Sequence, residues 1–303
     1  MMDFSYFCNT IREKYPNIVL KENEMLSKHT SFKIGGPARI MIFPHSTEEL
    51  QFVLKLCEQM KFEPKILGAG TNVLAPDEGV DQPVICLKDC MDGIQLLDNH
   101  RIRVFSGVTM ARAAVFAASN GLGGMEFAHG IPGTVGGGIY MNAGAYGGEI
   151  SDICESVTVL TPGGALVELP AQELDFSYRH SALAKNGGIV ISAVFRLYPK
   201  DENEVRAYMA ELIGKRKNSQ PLDMPSAGSA FKRPAIGYAA ALIDQSGLKG
   251  YQIGGAAVSA KHAGFVVNTG GATAEDVRNL LGRVSDIVYD KFGIRLEPEV
   301  RIW

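Results

Sequence analysis

Cysteine is scarce in this chain of 303 residues: five in all (Cys8, Cys57, Cys86, Cys90, Cys154), an odd number with no Cys-x-x-Cys. That argues against a disulfide framework and a zinc ribbon, and predicts small buried thiols in a reducing compartment. The six histidines show no ligand spacing and His-Glu-x-x-His does not occur, so no metal site is expected. No apolar run approaches the ~18 residues of a membrane span. The N-terminus carries Asp3, Glu13 and Lys14 without an apolar core, so no secretory signal is expected and the reading is cytoplasmic. An excess of positive charge is missing too. Thirty Lys+Arg against 33 Asp+Glu leave a net charge of −3, which argues against a general nucleic-acid binder. Neither a Gly-x-Gly-x-x-Gly nor a Walker A motif is present: position 73 is Val73, and Gly214-Lys215 is followed by Arg216.

What is present is a globular composition, 46% apolar and 21% charged, in a chain long enough for about two domains. Glycine is in excess: 34 residues, about 11% against a usual ~7%. Eleven of them fall between Gly121 and Gly148, interleaved with Met125, Phe127, Ile131, Val135, Tyr140 and Met141. This is neither collagen nor a linker. It predicts backbone that something approaches closely.

Short strands and helices alternate, as in an α+β (mixed α/β) protein. Ser46 and Glu49 form a capping box for a helix presenting Leu50, Val53, Leu54, Cys57 and Met60. Strands are expected at 65–67, 84–87, 102–105 and 189–197, a hairpin at 157–169, and an Ala-rich helix over 110–119 stopped by Asn120-Gly121. A boundary is expected near Pro199–Asp201. Beyond it come helices at 204–217, 235–246 and 273–292, strands near 256–259 and 264–268, and a final strand over 294–302.

Gly68-Ala69-Gly70-Thr71-Asn72 follows a strand and offers amides and two polar side chains to phosphate oxygens; an ordinary strand-to-loop turn reads the same way. In Gly130-Ile131-Pro132-Gly133-Thr134-Val135-Gly136-Gly137-Gly138, continued by Asn142-Ala143-Gly144-Ala145-Tyr146, the glycines leave amides open to a diphosphate. The competing reading is a Gly-rich packing corner. Two such turns would clasp a dinucleotide from both sides. Lys215, Arg216, Lys217, Lys232 and Arg233 surround the single acid Asp223, an arrangement suited to a phosphorylated substrate or to a solvated helix end. Tyr178-Arg179-His180-Ser181 and Glu297-Pro298-Glu299-Val300-Arg301 are, taken alone, as consistent with surface ion pairs.

Taken in order, Thr30-Ser31-Phe32-Lys33-Ile34-Gly35-Gly36-Pro37-Ala38-Arg39, the 68–74 turn, 130–148, 177–181, 228–234 and 296–302 resemble the UDP-N-acetylenolpyruvoylglucosamine reductase (MurB) family along essentially the whole chain. The resemblance implies a PCMH/vanillyl-alcohol-oxidase-type FAD-binding fold of two subdomains, 1–80 and 81–200, and a C-terminal substrate-binding domain, 201–303. Only 182–188 separate the Tyr-Arg-x-Ser motif from the next strand, as in the loop-less type II branch.

What it implies for chemistry is an NADPH-dependent flavoenzyme of peptidoglycan precursor synthesis. Hydride passes from NADPH to FAD N5 and on to the vinyl carbon of UDP-N-acetylglucosamine enolpyruvate. Arg179 and Glu299 stabilise the developing enolate, with Glu299 protonated or sharing a proton, and Ser229 delivers the quenching proton. FAD contacts, non-covalent, are carried to Gly68, Gly70, Thr71, Asn72, Gly130, Pro132, Gly133, Thr134, Gly136, Asn142 and Ala145. Substrate contacts are carried to Tyr178, Lys232, Arg233, Arg216 and Lys217. A monomer working on small molecules is expected. The alternatives are a PCMH-fold FAD oxidase of an alcohol or sugar, and a non-catalytic sugar-nucleotide-binding protein. The second of these would be expected to have lost one of the three catalytic motifs.

Overall fold

The computed structural model describes residues 4–303, which divide into two compact units. The first comprises 4–23, 39–69 and 81–213; the second comprises 24–38, 70–80 and 214–303.

Two sheets lie wholly or mostly in the first unit. In one, strands run in the order Val19–Met25, Pro37–Phe43, Val84–Cys86, Lys65–Leu67, with the last three parallel. Its core joins Ile40, Ile42 and Ile85 to Phe7 and Ile11 of the Phe4–Lys14 helix and to Leu50 and Val53 of the Thr47–Gln59 helix. Ser46 caps that helix by accepting from the Glu49 amide, but the Glu49 carboxylate reaches the His45 amide instead, so only half of the expected capping box forms. Leu56 rather than Leu54 joins Leu50 as a buried leucine of that face. The other sheet is antiparallel, in the order Leu166–Pro170, Cys154–Leu160, Ile189–Arg196, Arg101–Phe105, Ile94–Leu97.

Against this second sheet packs the Val135–Met141 helix, whose sequence opens Val-Gly-Gly-Gly. Each glycine costs roughly 1 kcal/mol relative to alanine in a helix. The helix forms because Val135 and Ile139 are fully buried, and two of its glycines, Gly136 and Gly138, are required by close approach. A Cβ on Gly138 would lie 2.9 Å from Met110 Sδ, and one on Gly136 2.9 Å from Ser106 Cβ.

The second unit carries a four-stranded antiparallel sheet in the order Ser226–Ser229, Phe265–Asn268, Ala256–Val258, Gln252–Ile253. The Ala274–Phe292 helix buries Val277, Leu280, Leu281, Val284 and Val288 at helical spacing. It starts at a Thr273/Asp276 capping box and stops at the left-handed Gly293. Two expectations need correction here. The helix placed at 235–246 begins only at Ala239, and the strand placed at 294–302 is reduced to Arg301–Ile302, paired in parallel with Val73–Leu74. Pro298 has no N–H to donate to a ladder. The residues on either side of it bond to 230–232 instead.

Candidate active site

In the first unit Gly68, at the start of one glycine-rich turn, touches Thr134 of the other. Thr134 Oγ1 lies 2.6 Å from the position of a Cβ on Gly68, and the same hydroxyl caps the Val135–Met141 helix by accepting from the Gly137 amide at 3.3 Å. The expectation that these glycines leave their amides open holds only in part. The Val135, Gly136 and Gly138 amides donate to the carbonyls of Val108, Ser106 and Thr134. The packing-corner reading therefore accounts for Gly136 and Gly138, and also for Gly148, where a Cβ would strike the Phe127 ring at 2.7 Å. Among the described residues, the Gly133 and Thr134 amides donate to no protein carbonyl. Gly130 and Pro132 sit in the segment leading to them, and Ala145 in the hairpin that follows, paired with Gly148.

Arg179 stands at the tip of a two-residue turn. Ser177 and His180 exchange backbone hydrogen bonds of 3.2 and 3.1 Å around Tyr178-Arg179, and Arg179 takes the left-handed φ of 57°. That conformation costs a non-glycine residue roughly 1–2 kcal/mol, so something other than the backbone calls for arginine here. Its guanidinium lies over the half-exposed Tyr178 ring at 4.9 Å, with Nη2 3.5 Å from the Gly144 carbonyl.

Ser229 and Glu299 come together in the second unit. Ser229 ends a strand whose register against Phe265–Asn268 shifts between Ser226 and Ser229, with Gly228 at φ 78° in the irregular stretch. The next residue, Ala230, donates its amide to the Gly264 carbonyl and accepts from the Glu299 amide at 2.9 Å. Asn72 Nδ2 donates to the Glu299 carbonyl at 3.2 Å, and the Asn72 carbonyl accepts from the Arg301 amide. Glu299 is half-buried with Oε2 inaccessible, whereas Glu297 is exposed and paired with Lys232.

The 30–39 motif acts here as a brace. Ser31 donates its amide to the Gly70 carbonyl at 3.0 Å and its hydroxyl to the Ser226 carbonyl at 2.6 Å, and Asn268 Nδ2 holds the Phe32 carbonyl at 3.0 Å. Gly70 and Thr71 are thus tied to the strand that ends in Ser229. Ser31 and Asn268 were not singled out from the sequence. Nothing marks a lone Asn268 on a strand, and Ser31 is only one polar residue of a long motif.

The expected phosphate cations are not gathered at one point. Lys232 is paired with Glu297, the Arg233 guanidinium lies 4.3 Å over the Tyr238 ring, and the Lys217 carbonyl accepts from Lys261 Nζ. Arg216 is half-buried in the last turn of the Glu202–Ser219 helix. His262, in the turn that carries the Gly264 carbonyl, accepts the Gly264 amide on Nδ1 at 3.1 Å, and burial lowers its pKa below the usual value.

Residues 38–170 match the family model described as an FAD binding domain, and residues 220–303 match the UDP-N-acetylenolpyruvoylglucosamine reductase C-terminal domain. The chain is 47% identical over 294 residues to the UDP-N-acetylenolpyruvoylglucosamine reductase of Listeria monocytogenes serovar 1/2a, covering 97% of this chain and 98% of that one. The chain belongs to the UDP-N-acetylenolpyruvoylglucosamine reductase family. The relative from Lachnoclostridium phytofermentans is 45% identical over 301 residues, 97% of each chain. The crystal structure of the Thermus caldophilus reductase superimposes with a TM-score of 0.81 at 36% identity, covering 95% of this chain and 99% of that one. An alkyldihydroxyacetonephosphate synthase structure, TM-score 0.50 at 18% identity, shares the fold over 64% of this chain.

The residues present fit the FAD of a UDP-N-acetylenolpyruvoylglucosamine reductase. A Cβ on Gly137 would meet only Thr134 Oγ1, at 3.6 Å, and one on Gly147 would meet nothing within 4 Å, so the backbone is uncovered at both. The buried Ser106 hydroxyl, beside Gly136, has no partner among the described residues. With the Gly133 and Thr134 amides, these are surfaces and hydrogen-bonding groups that the unit itself does not use. The chain is accordingly an FAD-dependent oxidoreductase of peptidoglycan precursor synthesis acting on a small molecule. Among the described residues no helix is long and apolar enough to cross a membrane, and no cluster of metal-ligating side chains occurs.

Proposed function

We propose that the chain reduces the enolpyruvyl ether of UDP-N-acetylglucosamine enolpyruvate to UDP-N-acetylmuramate with NADPH as the hydride source, and that Arg179, Ser229 and Glu299 carry the chemistry. The chemistry FAD supplies when bound is hydride relay, taken from NADPH and given to the terminal vinyl carbon. Adding hydride there places negative charge on the adjacent carbon and its carboxylate. A guanidinium on a rigid turn, such as Arg179, stabilises that charge without reorganising. Ser229 gives its proton to the carbanionic carbon, which is basic enough to take it from an alcohol. Glu299 acts beside the same anion in its protonated form, since a carboxylate there would oppose the charge.

The observation that carries this reading is the 2.9 Å bond from the Glu299 amide to the Ala230 carbonyl, which makes Glu299 and Ser229 backbone neighbours. It supports Glu299 over Glu297 as the working acid. Gly68, Gly70, Thr71, Asn72, Gly130, Pro132, Gly133, Thr134, Gly136 and Ala145 are read as the FAD-contacting backbone. Tyr178, Arg216, Lys217, Lys232 and Arg233 are read as the substrate contacts, so Lys232 exchanges Glu297 for a phosphate. Residues 1–80 and 81–200 are read as FAD-binding subdomains, and 201–303 as the substrate-binding part. The four-residue Leu183–Asn186 helix, filling the short stretch after Ser181, supports the loop-less type. Five buried free cysteines support a reducing, cytoplasmic location, and we read the working form as a monomer.

The test is an anaerobic stopped-flow trace at the flavin absorbance band. Bleaching by NADPH followed by recovery on adding UDP-N-acetylglucosamine enolpyruvate is expected. Recovery with oxygen only would replace the reading with that of an oxidase.

A further inference from the structure

Asn142 was expected to contact the cofactor, yet its side chain is spent inside the first unit. It is fully buried and closes the Val135–Met141 helix in the left-handed region at φ 43°. Nδ2 donates to Glu149 Oε1 at 3.1 Å and to the Ser177 carbonyl at 3.2 Å, while Oδ1 accepts from the Ser151 amide at 3.0 Å. Ser151 Oγ donates to the same Glu149 oxygen at 2.5 Å. A carbonyl and a carboxylate only accept, and an amide N–H only donates, so the orientation of the Asn142 amide is fixed by its partners.

The Ser177 carbonyl is the acceptor that closes the Tyr178-Arg179 turn, taking the His180 amide at 3.1 Å. A second anchor flanks the turn: Ser181, fully buried, donates its hydroxyl to the Tyr140 carbonyl at 2.9 Å. Both anchors reach the C-terminal end of the same glycine-rich helix.

We infer that Asn142 is a positioning residue for Arg179, holding the carbonyl on which the arginine turn closes, and makes no side-chain contact to FAD. The inference rests on the role proposed above for Arg179. It also gives a function to the left-handed Arg179 backbone. A strained turn keeps its geometry only where its surroundings over-determine it, and Asn142 and Ser181 supply that constraint.

The test is Asn142→Asp, which keeps the shape and the Oδ1 acceptor but turns two donors into acceptors facing acceptors. The expected result at neutral pH is a substrate half-reaction slowed by about 10- to 100-fold, the size of effect a small misplacement of a catalytic group produces. NADPH-driven flavin reduction and FAD content stay at wild-type levels. The loss reverses as pH falls, because the introduced carboxyl, crowded by Glu149, takes up a proton and donates again. Trypsin cleavage after Arg179 in the holoenzyme rises. Lost FAD, or equal slowing of both half-reactions, would overturn the inference in favour of a cofactor or packing role. If Asn142→Asp fails to fold, Ser181→Ala, which removes only the second anchor, is expected to give the same split in milder form. Its absence there would count equally against the inference. Arg179→Ala is run alongside. If it slows the substrate half-reaction while Asn142→Asp does not, the inference alone fails; if Arg179→Ala changes nothing, the reading of Arg179 fails with it.

Discussion

Thr134 Oγ1 occupies the space that a side chain on Gly68 would need, 2.6 Å from the Cβ position, while capping the helix that follows it. Gly68 and Thr134, 66 residues apart in sequence, are therefore packed against each other. Gly68 is required by a neighbour and not by its own φ.

This contact predicts coupling. Gly68→Ala should cost roughly 1–3 kcal/mol through overpacking, and Thr134→Ala about 1 kcal/mol through the lost cap. The double variant should cost less than the sum by about 1 kcal/mol, because removing the hydroxyl makes room for the methyl. Denaturant unfolding of the four proteins checks this, and strict additivity would mean that the turns do not touch.

Gly228 and Gly214 should respond to alanine with opposite signs. A Cβ meets nothing within 4 Å at either position, but Gly228 sits at φ 78° and Gly214 inside the Glu202–Ser219 helix. Gly214→Ala should stabilise by about 0.5–1 kcal/mol. Gly228→Ala should destabilise by roughly 1 kcal/mol and slow the substrate half-reaction, since it straightens the irregular stretch that aims Ser229. Melting curves give the first comparison and single-turnover kinetics the second.

Arg179→Gly should trade activity for stability. It relieves the left-handed strain, so the melting temperature should hold or rise, by the equivalent of up to about 1 kcal/mol. Substrate-driven flavin reoxidation should fall by at least about 100-fold. A variant that lost stability instead would show that the arginine packs rather than acts.

His262 sets a pH dependence. Burial lowers its folded-state pKa below the unfolded value, so the fold favours the neutral ring. The stability tied to this is complete above the unfolded pKa of about 6.5 and is lost as pH falls through the lower folded value. The melting temperature should therefore drop between about pH 7 and pH 5 more steeply than in His262→Asn, which keeps an acceptor for the Gly264 amide without titrating. Parallel slopes would remove His262 from the account.

The helices with clear apolar spacing were legible in the sequence. Thr273 to Gly293 shows its cap, its buried stripe and its stop residue. The Val135–Met141 helix was not legible, because three glycines argue against a helix, and only tertiary contact, with Ser106 for Gly136 and Met110 for Gly138, explains two of them. Pro37–Phe43, a central strand, has its first glycine-free stretch directly after Gly35-Gly36 and was absorbed into the motif. In the site, Arg179, Ser229 and Glu299 were reached through family motifs. Asn142 was singled out, but its side-chain partners Glu149, Ser151 and Ser177 were not: a buried amide pointing away from a glycine loop looks, in sequence, like one pointing into it. The braces Ser31 and Asn268 bond across 195 and 236 residues, beyond any local pattern.

The role proposed for Ser229 falls after hydride transfer, as a proton donor, and not in forming the holoenzyme. Anaerobic stopped-flow of Ser229→Ala tests it most directly. FAD content and NADPH-driven bleaching should stay near wild type, with reoxidation by UDP-N-acetylglucosamine enolpyruvate slowed by about 100-fold or more. Equal slowing of both half-reactions, or reoxidation at the wild-type rate, would contradict it.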